Sequence, residues 1–159
     1  YEYFRKDKNL SIILDDGSAK IGLESTILHL INNEIHILRH GGISTEKIKE
    51  NFPNKIINDE QKKYKKIIAP GMLTKHYSPT VPLRINAKKA KKNELLIGFG
   101  PNYDSPNLSL KGDLTEAASN LFSFLAKYQK NYSKIAIAPI PNIGIGRAIN
   151  DRIRRASKN

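Results

Sequence analysis

An apolar stripe between residues 114 and 128 is the feature that most constrains the fold of this chain. Its members recur three and four residues apart: Leu114, Ala117, Ala118, Leu121, Phe122, Leu125 and Tyr128. That period places all of them on one face of an α-helix. Asp113 and Glu116 have the spacing of a capping box, which predicts where the helix begins. A helix with one apolar face must bury it against another element, so the stripe requires a partner layer.

Short apolar runs around the stripe predict that partner layer. Residues 81–87 and 94–100 precede the stripe and residues 135–138 follow it, and each run is typical of a strand. A second helix is predicted from residue 146 onward, with Ala148, Ile149, Ile153 and Ala156 facing inward and Arg147, Arg152, Arg154 and Arg155 facing outward. The order strand, strand, helix, strand, helix predicts a small α/β layer with at least some parallel strands.

Strands are also predicted in the first third of the chain. Residues 11–14 form an apolar run that ends in an Asp-Asp-Gly turn, which is typical of a strand. Residues 24–30 and 34–39 are β-rich runs joined by Asn32 and Asn33, a suitable turn pair. These runs predict a strand followed by a hairpin.

A short helix and a spacer are predicted next. Ser44 is a good N-cap, with Ile48 and Phe52 on the apolar face of the helix and Pro53 after its end. Residues 54–66 are polar and rich in lysine, which predicts a spacer with a domain boundary in it or just after it. The region before the spacer is too short for a good core, which indicates the end of a larger α/β domain.

The charge balance suits a polyanionic partner but has a second explanation. The net charge is +12 and the isoelectric point is about 9.8, which favours a ligand such as tRNA. An excess of Lys over Arg, together with abundant Ile and Asn, is also typical of an AT-rich genome. Both explanations stay open at this stage.

Composition also narrows the classes of site and location. The chain has no Cys and four His, so no disulfide framework or thiolate metal site is expected, and the His residues lack zinc-site spacing. No apolar run approaches the length of a membrane span, and the N-terminus is charged. We therefore expect no membrane association and no signal peptide, and the absence of Cys fits a reducing cytoplasm.

Three stretches carry residues suited to binding an anionic substrate. In residues 22–27, a glycine is followed by a strand-like run that carries Glu, Ser and Thr. Because side chains alternate along a strand, one of Ser25 and Thr26 must face any pocket on that side. Arg39 ends a predicted strand before a Gly pair, so its planar fork can reach phosphate or carboxylate. A half-buried polar strand and a surface arginine are the plain alternatives.

The third stretch, residues 70–79, is bounded by prolines and contains a glycine, which excludes it from helix and sheet. It nevertheless carries a set of hydrogen-bond donors suited to an anionic ligand: Thr74, Lys75, His76, Tyr77 and Ser78. The alternative is a surface loop that is polar without a ligand.

Together and in this order, these stretches resemble the two-domain form of the threonylcarbamoyl-adenylate synthase family. Residues 22–27 look like its Gly-(Ile/Val/Leu)-Glu-Ser-Thr-(Ile/Val) motif, and residues 38–43 are similar to its Leu-Arg-Pro-Gly segment, with His40 where Pro is usual. Residues 69–79 look like the family's linker signature. Residues 112–118 and 144–152 resemble its C-terminal domain.

The resemblance implies an α/β fold with three parts. These are the C-terminal piece of a YrdC-like twisted-sheet catalytic domain (1–53), a linker with an active-site lid motif (54–80) and a small Rossmann-like domain (81–159). It further implies a cytoplasmic nucleotidyltransferase that makes threonylcarbamoyl-AMP and pyrophosphate from L-threonine, bicarbonate and ATP. ATP is a substrate, with Mg²⁺, and no protein-bound metal is implied. tRNA is involved indirectly, through threonylcarbamoyladenosine modification beside the anticodon.

The resemblance also assigns site residues. Ser25 and Thr26 are implied to bind L-threonine, and the implied ATP-binding residues are Arg39, Lys75, His76, Tyr77 and Ser78. It assigns no catalytic residue. The family's N-terminal half, which grips the triphosphate, has no counterpart here, so we expect a C-terminal portion that is inactive alone.

Two other interpretations compete with the enzyme portion. A non-catalytic basic module that binds tRNA or a partner of the modification pathway is favoured by the charge and the arginine-rich last helix. A structural domain that stabilises a closed catalytic domain is the other. A dinucleotide-binding site is not favoured at Gly144 and Gly146, because Ile149 stands where the fingerprint needs a third glycine.

Overall fold

The computed structural model describes residues 7–59 and 78–158. This part of the chain forms two small three-stranded sheets and three helices, a mixed α/β architecture. In chain order the elements are β1 (Ile27–Ile31), β2 (Glu34–Arg39), α1 (Thr45–Asn51), β3 (Ile56–Asn58), β4 (Leu83–Arg84), β5 (Leu95–Ile97), α2 (Leu114–Tyr128), β6 (Ile135–Ile137) and α3 (Gly146–Ala156). Within the described ranges, no helix is both long enough and apolar enough to cross a bilayer.

The second sheet has the strand order β4-β6-β5, and all its pairings are parallel. Helices α2 and α3 cover it with the faces that the sequence predicts. The largest completely buried aliphatic side chains of this layer are Ile97, Leu108, Leu121, Ile135, Ile137, Ile149 and Ile153. The prediction of an α/β layer with parallel strands is therefore confirmed, and this layer contains the main core of the described chain.

The start of α2 confirms the predicted cap and extends it. The side chain of Asp113 accepts a hydrogen bond from the backbone N–H of Glu116 at 2.7 Å. The carboxylate of Glu116 accepts a hydrogen bond from the hydroxyl of Ser109, and this hydroxyl accepts one from the N–H of Asp113 at 2.9 Å. The capping box is thus closed through a buried serine.

The first sheet has the order β1-β2-β3, with β1 antiparallel and β3 parallel to β2. Asn32 and Asn33 have φ angles of +45° and +69°, which confirms the predicted hairpin turn. Ser44 caps α1 through a hydrogen bond from the N–H of Lys47. The buried core here consists of Ile35, Ile37 and Ile48, with Ile57 packed against it, so it is as small as the sequence indicated.

Several predictions of local structure were wrong. Residues 11–14 are not a strand: Leu14 is 94% exposed, and an extended run without a paired neighbour is not a stable strand in water. Phe52 ends α1 and is 45% exposed instead of lying on its apolar face. The predicted spacer contains β3, and the strand predicted at 81–87 is limited to Leu83 and Arg84, with a φ of +55° at Asn86 just beyond it.

The segment before β1 packs directly on α2. Gly22 has a φ of +64°, and a Cβ at this position would lie 2.7 Å from Cα of Ser119 and 2.8 Å from the carbonyl oxygen of Ala118. The Ser119 hydroxyl donates a hydrogen bond to the carbonyl of Ala19 at 2.8 Å, and Leu23 packs against the main core. The first strand region is therefore anchored on the C-terminal layer by backbone contact.

This contact predicts a specific effect of adding one methyl group. Gly22→Ala should destabilise the chain by backbone strain of about 1–2 kcal/mol and by a steric overlap of about 1–3 kcal/mol more. Gly17→Ala is the matched control, because Gly17 has a φ of +83° but a Cβ added there would have no heavy atom within 4 Å. Urea unfolding of both variants measures the difference, and equal losses would contradict the contact.

Candidate functional site

The structure brings Ser25 and Arg39 together, although the sequence predicted them in separate motifs. Arg39 lies at the end of β2, and its Nε donates a hydrogen bond to the carbonyl oxygen of Ser25 at 3.0 Å. Its Nη2 donates another to the Ser25 hydroxyl at 3.1 Å. Ser25 itself is exposed. A hydroxyl and a guanidinium therefore share one site, in an arrangement suited to carboxylate or phosphate.

Thr26 uses its hydroxyl differently. Its Oγ1 donates to the carbonyl of Ile43 at 2.7 Å and accepts from the N–H of Ile43 at 3.0 Å. A hydroxyl has one donor and two acceptor positions, so the Thr26 donor is already used within the protein. Of the two alternating hydroxyls, the one beside the guanidinium is that of Ser25.

Of the other predicted binding residues, the structure describes Ser78. Ser78 lies against the second half of α2, in a groove of about 300 Å³ that is also lined by Pro79, Phe122, Ser123, Leu125, Ala126 and Gln129. Lys75, His76 and Tyr77 lie outside the described residues. Within residues 7–59 and 78–158, no cluster of three or more His, Asp or Glu side chains is placed to hold a metal ion.

A buried arginine connects the Ser25–Arg39 pair to α3. The Nε of Arg152 contacts the Glu24 carboxylate at 2.7 Å, and its Nη2 donates to the carbonyl of His40 at 3.1 Å. Its Nη1 contacts the Asp151 carboxylate at 2.6 Å. The Arg152 side chain is only 5% exposed. One guanidinium thus binds the residue before Ser25 and the residue after Arg39.

The ionisation of Glu24 is controlled by this contact. Burial alone would raise the pKa of its carboxyl, but the hydrogen bond from Arg152, a backbone hydrogen bond and the charges of Arg152 and Arg39 together outweigh burial. The pKa of Glu24 therefore lies below its ordinary value of 4.5, and the ion pair is charged at neutral pH.

A second arginine of α3 makes a parallel connection. Arg147 pairs with Glu46 at the start of α1 and lies 3.7 Å from Asp59. Asp59 also contacts the Nε2 of His40 at 3.0 Å and accepts a hydrogen bond from the Thr45 hydroxyl at 2.9 Å. Burial raises the pKa of Glu46, but the hydrogen bonds from Arg147, Ser44 and a backbone N–H, together with the charge of Arg147, outweigh burial and lower the pKa below its ordinary value of 4.5.

The prediction that the α3 arginines face outward is corrected for three of the four by these contacts, whereas Arg154 is exposed as predicted. Arg152 is buried, and Arg147 and Arg155 also bind carboxylates. Helical periodicity assigns a charged residue to solvent when no partner is visible, and the Glu24 partner of Arg152 is 128 residues away in sequence. The sequence signal that could have found the pairing is Glu24 itself, a carboxylate placed between a glycine and a strand.

A cleft of about 610 Å³ lies where α3 meets the first sheet. Its lining is mostly polar and contains both signs of charge: His40, Ile57, Asn58, Asp59, Asn142, Arg147, Asp151 and Arg154. The volume is in the range of small-molecule sites. No local sequence pattern predicts this cleft, because its walls come from three distant parts of the chain.

The different uses of the two hydroxyls give a prediction about stability. Thr26→Val keeps the shape but removes both hydrogen bonds to Ile43, so it should lower the free energy of unfolding by about 1–3 kcal/mol. Ser25→Ala is the matched control, because Ser25 is the neighbouring residue and is exposed. It should change the free energy of unfolding by about 0.5 kcal/mol or less. Denaturant unfolding of the two variants compares them, and a larger loss for Ser25→Ala would reverse the assignment.

The Glu24–Arg152 pair gives a prediction about pH. Because the folded pKa of Glu24 is depressed, its stabilisation is present above about pH 4.5 and is lost as the pH falls further. Glu24→Gln should therefore cost about 1–3 kcal/mol at pH 7, and the gap to the parent chain should shrink below pH 4.5. Glu50→Gln is the control, because the Glu50 side chain is 67% exposed in its pair with Lys47, and such surface pairs contribute little. A pH-independent gap would contradict the charged pair.

Known proteins share this arrangement of sequence and fold. The family described as "Threonylcarbamoyl-AMP synthase, C-terminal domain" matches residues 43–158. The threonylcarbamoyl-AMP synthase of Bacillus subtilis (strain 168) is 27% identical over 173 residues, covering 95% of this chain and 50% of the relative. The one from Pyrococcus abyssi is 29% identical over 171 residues, covering 93% of this chain and 49% of the relative.

Solved structures agree with the sequence matches. The crystal structure of P. abyssi Sua5 complexed with L-threonine has a TM-score of 0.73 and 26% identity, covering 90% of this chain and 48% of that one. The structure of a P. abyssi Sua5 variant, in which a neighbouring His and Tyr are replaced by Ala, matches with a TM-score of 0.65. The match covers 87% of this chain and 46% of that one. The chain spans about half the length of the relatives it matches. From the match over residues 43–158, this chain belongs to the threonylcarbamoyl-AMP synthase C-terminal domain family.

Proposed function

We propose that this chain is the C-terminal portion of an L-threonylcarbamoyladenylate synthase. The reaction joins L-threonine, bicarbonate and ATP into threonylcarbamoyl-AMP and releases pyrophosphate, and the product supplies tRNA modification in the cytoplasm. The observation that carries the proposal is the Ser25–Arg39 pair in a chain of this family. A solved relative of 26% identity is described as a complex with L-threonine, which supports an amino-acid site in the shared fold.

Ser25 is proposed to bind the L-threonine substrate. Its oxygen accepts a hydrogen bond from Arg39 at 3.1 Å, so the hydroxyl hydrogen can be directed toward a substrate oxygen. A carboxylate placed there would gain a donor and a nearby positive charge. Thr26, the other residue proposed for the binding of L-threonine, contributes by holding the backbone of Ile43 through its hydroxyl.

Arg39 is proposed to bind the phosphate side of the reaction. The transfer of the adenylyl group to a carboxyl oxygen concentrates negative charge on phosphoryl and carboxyl oxygens, and fixed donors stabilise such charge. Lys75, His76, Tyr77 and Ser78 are the proposed linker residues for ATP, which enters as a substrate with Mg²⁺. A neighbouring His and Tyr are the pair replaced in the P. abyssi Sua5 variant, and His76–Tyr77 is the His-Tyr pair of this sequence.

The proposed domain limits are those of the family pattern: a portion of the YrdC-like domain at 1–53, the linker at 54–80 and the Rossmann-like domain at 81–159. Because the relatives are about twice as long, we propose that turnover needs the remaining half of the YrdC-like domain. This half would complete the threonine pocket and bind the triphosphate.

A basic tRNA-binding module remains the second candidate because of the net charge of +12. The arginines of α3 give it limited support, since Arg147, Arg152 and Arg155 all bind carboxylates. Filter binding of tRNA across a salt series separates the candidates. Phosphate binding by the exposed lysines would give a steep salt slope, and affinity with a shallow slope would contradict the module.

An activity measurement tests the proposed function. In a chimera, this chain replaces the matching half of the B. subtilis synthase, and pyrophosphate release is measured with L-threonine, bicarbonate and ATP. We expect release that depends on threonine in the chimera and none from the isolated chain. Arg39→Ala in the chimera should lower kcat/KM by a factor of about 10² or more.

The control for this measurement is Lys111→Ala, which changes an exposed charge outside the site and should leave kcat/KM unchanged. A folded chimera without threonine-dependent release contradicts the proposed function. Release that Arg39→Ala leaves unchanged contradicts the role of that residue.

A further inference from the structure

We propose that Arg152 is a positioning residue: it sets the separation and orientation of Ser25 and Arg39 from the C-terminal layer. This inference rests on the proposed function of that pair. Arg152 acts through Glu24 and through the backbone of His40, which its guanidinium binds at 2.7 Å and 3.1 Å. The structure thereby gives α3 a part in substrate binding without a direct contact to substrate.

The two partners of Arg152 are direct neighbours of the binding residues in the chain. Glu24 immediately precedes Ser25, and His40 immediately follows Arg39. Consecutive Cα atoms are about 3.8 Å apart, so a displacement of either partner moves the neighbouring binding residue almost as far. A single guanidinium that holds both partners therefore fixes two strand ends relative to each other.

The two strand ends are also closely packed against each other. The N–H of Gly42 donates to the carbonyl of Glu24 at 3.2 Å, and a Cβ at Gly41 would overlap that same carbonyl oxygen. The two segments are thus in backbone contact, with Gly41 buried. This contact brings the two segments together, and Arg152 binds both of them at the residues next to Ser25 and Arg39.

The guanidinium of Arg152 is itself held in place by a buried carboxylate. Asp151 is 3% exposed and binds Arg152 Nη1 at 2.6 Å and Arg155 Nε at 2.9 Å. The guanidinium is therefore held from its own helix while two of its other nitrogens hold the strand ends. A lysine ammonium has no planar fork of this kind, so Lys at position 152 would keep the charge and lose the geometry.

Arg147 supplies the matched comparison. It also connects α3 to the first sheet region by ion pairs, with Glu46 and Asp59. Its partner Glu46 is seven residues from Arg39 in sequence, and its partner Asp59 contacts the imidazole of His40, whereas Arg152 binds the backbone carbonyl of His40. Loss of Arg147 should weaken the packing of the two regions without changing the Ser25–Arg39 geometry, which separates a positioning role from a stabilising one.

The test compares Arg152→Lys with Arg147→Lys in two measurements. In the 159-residue chain, NMR follows the Nε–H signal of Arg39 and the amide signal of Ser25. We expect Arg152→Lys to shift both signals and to speed hydrogen exchange at Arg39 Nε about tenfold, while Arg147→Lys leaves both unchanged. Glu24→Gln is the second variant, and it should move the same two signals.

The second measurement uses the active chimera. Arg152→Lys should raise the KM for L-threonine about tenfold with a smaller change in kcat, because a misplaced binding group costs mainly substrate binding. Arg147→Lys should leave that KM unchanged. Loss of stability alone would lower the amount of active enzyme and hence kcat, without this change in KM.

The two measurements distinguish the inference from the proposed function on which it rests. Unchanged Arg39 and Ser25 signals in both Arg152→Lys and Glu24→Gln overturn the positioning role, whatever the activity. Equal effects of the Arg147 and Arg152 variants overturn it as well. Moved signals in a chain whose parent chimera shows no threonine-dependent turnover support the coupling and contradict the proposed function instead.

Discussion

The buried guanidinium of Arg152 is the interaction on which the arrangement of the site depends. A buried charge is destabilising by several kcal/mol unless it is paired and hydrogen-bonded. Arg152 meets this condition with the Glu24 and Asp151 carboxylates and the His40 carbonyl. Because these partners come from three places in the sequence, the pairing is satisfied only when the C-terminal layer and both strand ends are in place. Folding of the layer and assembly of the site are therefore linked.

The distribution of apolar burial explains why the site needs this connection. The main core lies between the parallel sheet, α2 and α3, whereas the first sheet and α1 share a small apolar cluster of Ile35, Ile37 and Ile48. On the β1 edge of that sheet, Leu28 and Leu30 are 40% and 62% exposed, and they pair with Ile37 and Ile35 in the antiparallel register. So small a core gives little rigidity of its own. The backbone contact at Gly22 and the ion pairs of α3 supply the order that apolar packing does not.

Local patterns predicted the elements well where one residue period and one cap decided the outcome. The α2 stripe, the α3 face, the Asn32–Asn33 turn and the Ser44 cap depend on neighbours within about four residues, and all are present. The short strand β3 was missed because its pairing with β2 comes from tertiary structure. At the site, motifs predict Ser25 and Arg39 but not the hydrogen bonds between them, which span 14 residues. Helical periodicity assigns Arg152 to solvent, because nothing local to α3 shows that Glu24 lies opposite.

The carboxylate partners of the α3 arginines change the interpretation of the charge balance. The chain carries 27 Lys and Arg residues against 15 Asp and Glu residues, and this excess alone favours a polyanionic ligand. Four of the carboxylates, however, bind arginines of α3: Glu24, Glu46, Asp59 and Asp151. Arginine is the residue whose fork recognises phosphate in pairs of hydrogen bonds, and here three such forks are directed at the protein itself. The helix that looked most like a nucleic-acid surface in the sequence is therefore the element that holds the candidate site together.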